Sequence, residues 1–429
     1  MTNRLMRYAW AIALVALAAA ACNLDQRNPN APILETGTSD PEGIIALAVG
    51  MQGQFTIDIE DFIVPSSLVT DEWGTTTLAL ASYQVLVTGI AIDPSFGTIS
   101  ATWNSMYGVI RSANILIDRA PAVGLGPGIQ TGIVALAKLY KGMAFYWLSE
   151  TYERGAVDVS GVAPVPVDRA QVLAAAIQSL EAARADLGTV ADADLATFRS
   201  RVLGTGFDIR NTVDAYLARA YLASGDYAQA LAAARRVDLS VFSVFTYTAT
   251  TPNPIAGITT TGLRYTQPLR SYVDQAEAGD MRPDFWVNTA AATTRGNPDS
   301  VLQANRRFVA NTEAFPVYLP DEIRLIIAEA SARMGDLATA RQMINAVRTG
   351  ASANALDPVA GLPALGDAEL ATQAQVLEQI AYERAYELYM QGLRWGDTRR
   401  LAEFIDIEPT IEFFPVPLSE CDRNPQAGC

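Results

Sequence analysis

The chain has 429 residues, 46 acidic against 31 basic side chains, a formal net charge of −15, half of its residues apolar and no histidine. A nucleic-acid binder needs a basic face, and nothing in this sequence supplies one. The missing histidine removes His-based triads, His-ligated zinc and histidine general bases, and leaves carboxylate chemistry as the enzymatic option.

Residues 1–21 read as an export signal: Arg4 and Arg7 precede an apolar run from Tyr8 to Ala21, too short for a comfortable membrane span and ending in small residues. Cys22 follows directly, as at the end of a lipoprotein signal, and is the expected lipidation site. Ala19 stands where leucine is usual, and a plain signal peptide cut near Cys22 is the alternative. Acyl chains on Cys22 would anchor the chain without spanning the membrane. No later segment reads as a transmembrane helix. Residues 22–40, polar and broken by proline, read as a tether.

Helical periodicity starts near Pro41, with Ile44, Leu47, Ala48 and Met51 on one face. Asp93 is the expected cap of a second helix with Pro94 in its first position, running through Trp103, Tyr107, Ile110 and Ala113 to Ile117. An alanine- and aromatic-rich helix over 132–152 leads through Glu153, Arg154 and Gly155 to an extended segment around Pro164 and Pro166. A further long helix covers 168–187. Two segments then share one pattern: small residues (Ala218, Ala328, Ser331) on a helix, a Gly-Asp turn (Gly225-Asp226, Gly335-Asp336), and a second helix with small residues (Ala230, Ala340). This is the tetratricopeptide pattern, small where paired helices approach and glycine where the chain turns. The copies are far apart, separated by residues 240–320, which are rich in Thr, Pro, Gly, Asn and aromatics and read as loops and short elements.

Glu383 to Leu401 hold two carboxylates (Glu383, Glu387) and four arginines (Arg384, Arg394, Arg399, Arg400) among aromatic and aliphatic residues. Glu383 and Glu387, four apart on one helical face, are expected to be ion-paired with arginines of the next turn or helix and held ionised. Gly392 permits a bend, and Trp395 offers a face for a guanidinium. The expected reading is a structural helix junction, not a catalytic pair. Cys421 and Cys429 are expected to pair into a small terminal loop in an exported protein; two thiols alone make a poor metal site.

The string E-R-x-x-E-L-x-x-x-G-x-R-W-x-D-x-x-R, here Glu383, Arg384, Glu387, Leu388, Gly392, Arg394, Trp395, Asp397 and Arg400, resembles the C-terminal signature of the SusD/RagB family of outer-membrane nutrient-binding lipoproteins. Trp103–Asn114, the second repeat with Glu329, Ala330, Ile344, Asn345 and Arg348, the segment after Cys22 and the Phe413–Pro425 tail resemble further family strings in the same order. The resemblance implies a mainly α fold: a tetratricopeptide-like helical repeat scaffold with an irregular, loop-rich ligand-binding insertion. It divides the chain into a signal peptide (1–21), a lipid tether (22–40), an N-terminal helical part with the first repeat pair (41–239), the insertion (240–320) and a C-terminal repeat pair with signature and tail (321–429).

It also implies a lipid-anchored outer-membrane protein facing the cell surface. Such a protein binds an oligosaccharide or peptide ligand and delivers it to a SusC-like TonB-dependent transporter, with no cofactor, no metal, no catalytic residue and no nucleic-acid partner. Sugar binders stack rings on exposed aromatics, so Trp73, Tyr83, Tyr265, Tyr272 and Trp286 are the candidate ligand contacts, with Asp71, Glu72, Arg264 and Asp284 as polar neighbours. Trp147 and Trp395 sit in helical motifs and are assigned to packing. Two other readings compete: an envelope scaffold using its repeats for protein contacts without a small ligand, and a lipoprotein glycosidase using two carboxylates.

Overall fold

The computed structural model describes residues 37–161, 163–260, 264–351, 354–427 and 429; the signal segment, Cys22 and most of the tether lie outside the described residues. Helix α1 (Pro41–Ile57) begins where its periodicity does. Asp40 accepts a hydrogen bond from the Gly43 N–H at 2.9 Å, Pro41 fills the first turn, and Ile44, Ile45, Ala48, Met51 and Phe55 are buried. Helix α2 (Glu60–Val69) follows at once, then strand β1 (Trp73–Thr75) and α3 (Ala81–Thr88). Helix α4 (Gly97–Arg119) starts three residues later than the sequence suggests. Asp93 does not cap it: its side chain accepts from the Ser95 N–H at 2.8 Å, closing a local Asx turn that holds Phe96 extended before the helix begins. Helix α5 (Pro127–Thr151) gains a turn at its N-terminus through Pro127, and it packs between α4 and α6 (Arg169–Gly188). Strands β2 (Arg154–Ala156) and β3 (Pro166–Asp168) form an antiparallel ribbon between α5 and α6.

The two repeat pairs are built alike. Helices α7 (Ile209–Ser224) and α8 (Tyr227–Ala234) turn at Gly225, φ +80°, and Asp226 then caps α8 by accepting from the Gln229 N–H at 3.1 Å. Further along, α10 (Pro320–Arg333) and α11 (Leu337–Thr349) turn at Gly335, φ +88°, and Asp336 accepts from the Thr339 N–H at 3.0 Å. An L side chain resists that left-handed backbone, so the turn requires glycine. The pairs are distant in sequence but stack directly, α8 on α10. A buried bidentate bridge, Arg219 to Glu322 at 2.7 Å through both oxygens, ties α7 to α10.

Between the pairs, the insertion consists of short strands and helices. Strand β4 (Thr266–Pro268) pairs antiparallel with β1, Gly74 opposite Gln267, and fastens the insertion to the N-terminal helices. Helix α9 (Arg282–Trp286) carries a fully buried arginine and tryptophan into the core. Helix α12 (Gln373–Glu387), started by a Thr372–Gln375 capping box, and α13 (Arg394–Arg400) complete the C-terminal part. Cys421 and Cys429 are disulfide-bonded. Among the described residues no helix is long and apolar enough to cross a membrane.

Candidate functional site

The Glu383–Leu401 stretch forms a buried ionic network. Glu383 receives Arg282 Nη1 at 2.6 Å, Arg348 Nη1 at 2.8 Å and Gln379 Nε2 at 2.7 Å. Arg384 binds Asp397 at 2.9 Å, and Arg400 joins Asp397 to Glu329. Arg399 lies over the Trp395 ring at 5.4 Å while pairing with Glu150 at 3.0 Å. Gly392, at φ +74°, turns the chain against Ile63 and Trp147, where a Cβ would come within 3.2 Å of Ile63.

The arginines on Glu383 come from α9 and α11, not from its own turn or the next helix. Glu387 departs further from the sequence expectation, because burial and its acidic neighbour Asp321 push its carboxyl well above the usual range. Both glutamates are fully buried, so they cannot flank a glycosidic bond. Trp147 and Trp395 are buried in packing positions.

The five aromatic candidates separate. Trp73 and Trp286 are 0% exposed; the Trp286 indole N–H donates to the Tyr386 carbonyl at 2.9 Å, and neither ring presents a face to a ligand. Tyr272 is stacked on Tyr389 at 3.9 Å and on Tyr386 at 4.8 Å, with one edge on a cavity of ≈ 550 Å³ shared with Tyr382 and Arg394. These three are core residues because the insertion is pinned inward by β4 and α9.

Tyr83 and Tyr265 remain half-buried and meet edge to face with centroids 6.1 Å apart. One comes from α3 and the other from the insertion. Thr76, just after β1, holds the insertion end of the pair: its N–H donates to the Tyr265 carbonyl at 2.9 Å and its hydroxyl to the Arg264 carbonyl at 2.7 Å.

Tyr83 forms one wall of a groove of ≈ 360 Å³ with Glu60, Asp61, Leu80, Ser82 and Thr98. Burial pushes Glu60 up to about 7, reinforced by Asp61 and Asp58, and Asp61 up to about 6. The Thr98 hydroxyl has no hydrogen-bond partner among the described residues. Three non-glycine residues in the surrounding connections, Asp71, Ala91 and Arg264, hold positive φ (56°, 58° and 43°). Such strain persists only where the surroundings impose it and gathers at ligand sites.

A ring face beside oxygen acceptors suits a polyhydroxylated ligand, the ring taking apolar C–H and the carboxylates taking hydroxyl donors. Glu60 and Asp61 are adjacent on one helix, so their side chains diverge instead of facing each other across a scissile bond. The signal for this groove in the sequence is the acidic run Asp58, Glu60, Asp61 at the start of an apolar helix, which carries no motif and was not among the expected contacts.

A larger cavity of ≈ 920 Å³ lies beside α4, lined by Trp103, Asn104, Tyr107, Arg111, Asn114 and Lys141. Much of its polar lining is already satisfied internally: the Tyr107 hydroxyl donates to the Ala156 carbonyl at 3.0 Å, and Lys141 donates to Asn114 at 2.8 Å. That leaves it less to offer a polar ligand than the Tyr83 groove.

A helical scaffold of two stacked tetratricopeptide-like pairs, with an irregular insertion held against it, is the SusD-like architecture. Residues 303–406 match the model of the SusD family. The fold is similar to that of B. fragilis NanU over 93% of this chain and 98% of that one, with 15% identity and a TM-score of 0.70. It is likewise similar to a laminarin-binding SusD-like protein (17% identity, 90% and 98% covered, TM-score 0.68). A SusD-like carbohydrate-binding protein of Bacteroides fragilis matches with 14% identity, 92% and 100% covered, and a TM-score of 0.70. No curated protein sequence matches significantly. Residues 303–406 thus match the SusD family, and the fold over most of the chain's length is that of SusD-like proteins.

Proposed function

We propose that this protein is a cell-surface binding protein, lipid-anchored at Cys22 to the outer membrane, that captures an oligomeric nutrient and delivers it to a SusC-like TonB-dependent transporter. The favoured ligand is a glycan. The observation that carries this reading is the pair of half-buried tyrosines from two separate segments, Tyr83 and Tyr265, beside a groove with two carboxylates and an unpartnered hydroxyl. Relatives of the same fold described as laminarin-binding and carbohydrate-binding support it. Capture and hand-over require no covalent step, and moderate affinity suits a protein that releases its ligand onward.

A second reading, an envelope scaffold with no small ligand, draws on one specific observation: Trp286, Tyr272, Phe245 and Phe308 of the insertion are buried, which closes most of its aromatic surface. A mild-detergent pull-down of the native lipoprotein separates the two. Recovery of a large TonB-dependent barrel together with a bound oligomer supports the uptake role; recovery of other envelope proteins alone supports the scaffold. In the same preparation Cys22→Ala is expected to leave the membrane pellet. Retention there without acyl labelling contradicts the anchor.

A further inference from the structure

The second glutamate of the signature is held only loosely by the arginine network that holds the first. Glu387, at the end of α12, is fully buried, and neither of its carboxylate oxygens receives a hydrogen bond among the described residues. The nearest cation, Arg282 Nη1, is 3.5 Å from Oε2 and hydrogen-bonds Glu383 instead, at 2.6 Å. Two further buried carboxylates converge on Glu387: Asp321 from the first turn of α10 and Asp357 from the loop after α11. One oxygen from each of the three lies within 4.8 Å of the others.

The charges around this point do not balance. Among the described residues, five carboxylates (Glu277, Asp280, Asp321, Glu383, Glu387) share three arginines (Arg282, Arg324, Arg348). Glu277 is partly exposed and the other four are buried, and an excess of buried carboxylates is relieved by protonation or by an added positive charge.

We propose that Asp321, Asp357 and Glu387 form a divalent-cation site, with Ca²⁺ the ion that fits. This revises the expectation of a metal-free protein and is independent of the glycan reading. The three side chains offer only carboxylate oxygens, the donors of hard cations and not of zinc or copper. The three oxygens lie close enough to share one ion, and an irregular set of carboxylates from three segments suits the flexible coordination of Ca²⁺ better than the near-ideal octahedron that Mg²⁺ demands. Backbone carbonyls or water would complete its coordination, as at other Ca²⁺ sites. The ion would join three segments: α10 (the first helix of the second repeat pair), the loop that follows α11, and the signature helix α12. The same loop is already tied to α11 by the Leu362 N–H, which donates to the Arg348 carbonyl at 2.9 Å. The ion therefore acts on the junction between the last repeat pair and the signature.

The test uses the full mature chain, dialysed against EDTA and melted in EDTA, in millimolar CaCl₂ and in MgCl₂, with bound metal counted by mass spectrometry. The proposal predicts one Ca²⁺ per chain and a melting temperature higher in Ca²⁺ than in EDTA by about 3 °C or more, with a smaller rise in Mg²⁺. Glu387→Gln and Asp357→Asn each weaken Ca²⁺ binding at least about tenfold and abolish the rise. Calorimetric titration of the unmodified chain decides the matter should either variant fail to fold. Identical melting in EDTA and Ca²⁺ with no bound metal overturns the proposal, as does a Ca²⁺ effect that survives intact in both folded variants.

Discussion

Replacing Glu383 by alanine tests whether the signature acts as an ionic junction. The substitution removes a carboxylate that receives Arg282 at 2.6 Å, Arg348 at 2.8 Å and Gln379 at 2.7 Å, all within the protein interior. Arg282 keeps Asp280 at 2.7 Å and Arg348 keeps Glu277 at 2.8 Å, so neither guanidinium is left wholly alone. Both nevertheless stay fully buried with one partner fewer. Breaking one side of such a network costs about 3–5 kcal/mol. With a urea m-value of about 3 kcal/mol per M, the unfolding midpoint falls by about 1–1.7 M. Urea titration followed by far-UV circular dichroism measures this. Asp299→Ala, which removes the exposed Arg295–Asp299 pair, is the control and moves the midpoint little. Should Glu383→Ala unfold at the same urea concentration as the control, the network is not what joins α9, α11 and α12.

Gly335→Val is expected to destabilise more than Gly257→Val. An added Cβ meets open space at both glycines, but only Gly335 holds positive φ, so the backbone alone costs about 1–2 kcal/mol there. Equal losses of melting temperature would argue against the repeat turn as the determinant. The pH dependence of stability follows from Glu60 and Glu72, each raised by burial from 4.5 to about 7, and Asp61, raised to about 6. The native chain keeps protons there that the unfolded chain has released. Their contribution is therefore full below pH ~4.5 and lost as pH rises through ~7, so the melting temperature falls between pH 5 and 8. Glu72→Gln, neutral at every pH, is expected to flatten that fall; an unchanged slope contradicts the assignment.

Helix positions were legible wherever local chemistry decides them. Asp40-Pro41 and the Gly-Asp turns act within a few residues, and those elements start and stop where the pattern says. Asp93-Pro94 carries the same cue, yet Asp93 has a nearer use, the Ser95 N–H, and the helix waits until Gly97. Partners contributed by distant segments were not legible. Arg282 and Arg348 reach Glu383 from elements about 100 and 35 residues away in sequence, and no spacing rule names them. Burial of aromatics was equally opaque. Trp73 and Trp286 read as well for a platform as for a core, and only the β1–β4 ribbon and the inward path of α9 decide for the core. The tyrosine pair was visible as two separate residues, without the Thr76 hydrogen bonds that hold the Arg264–Tyr265 segment beside β1.

Binding of soluble glycans, β-glucans such as laminarin among them, by the mature chain and by Tyr83→Ala and Tyr265→Ala tests the central claim most directly. Isothermal titration provides the affinities and thermal melting checks the fold. The account predicts that the unmodified chain binds at least one glycan. Each truncation weakens that binding by about 1–2 kcal/mol, roughly 5- to 30-fold, at an unchanged melting temperature. A glycan bound equally well by all three proteins places the ligand elsewhere, and a chain that binds no oligomer at all contradicts the capture role.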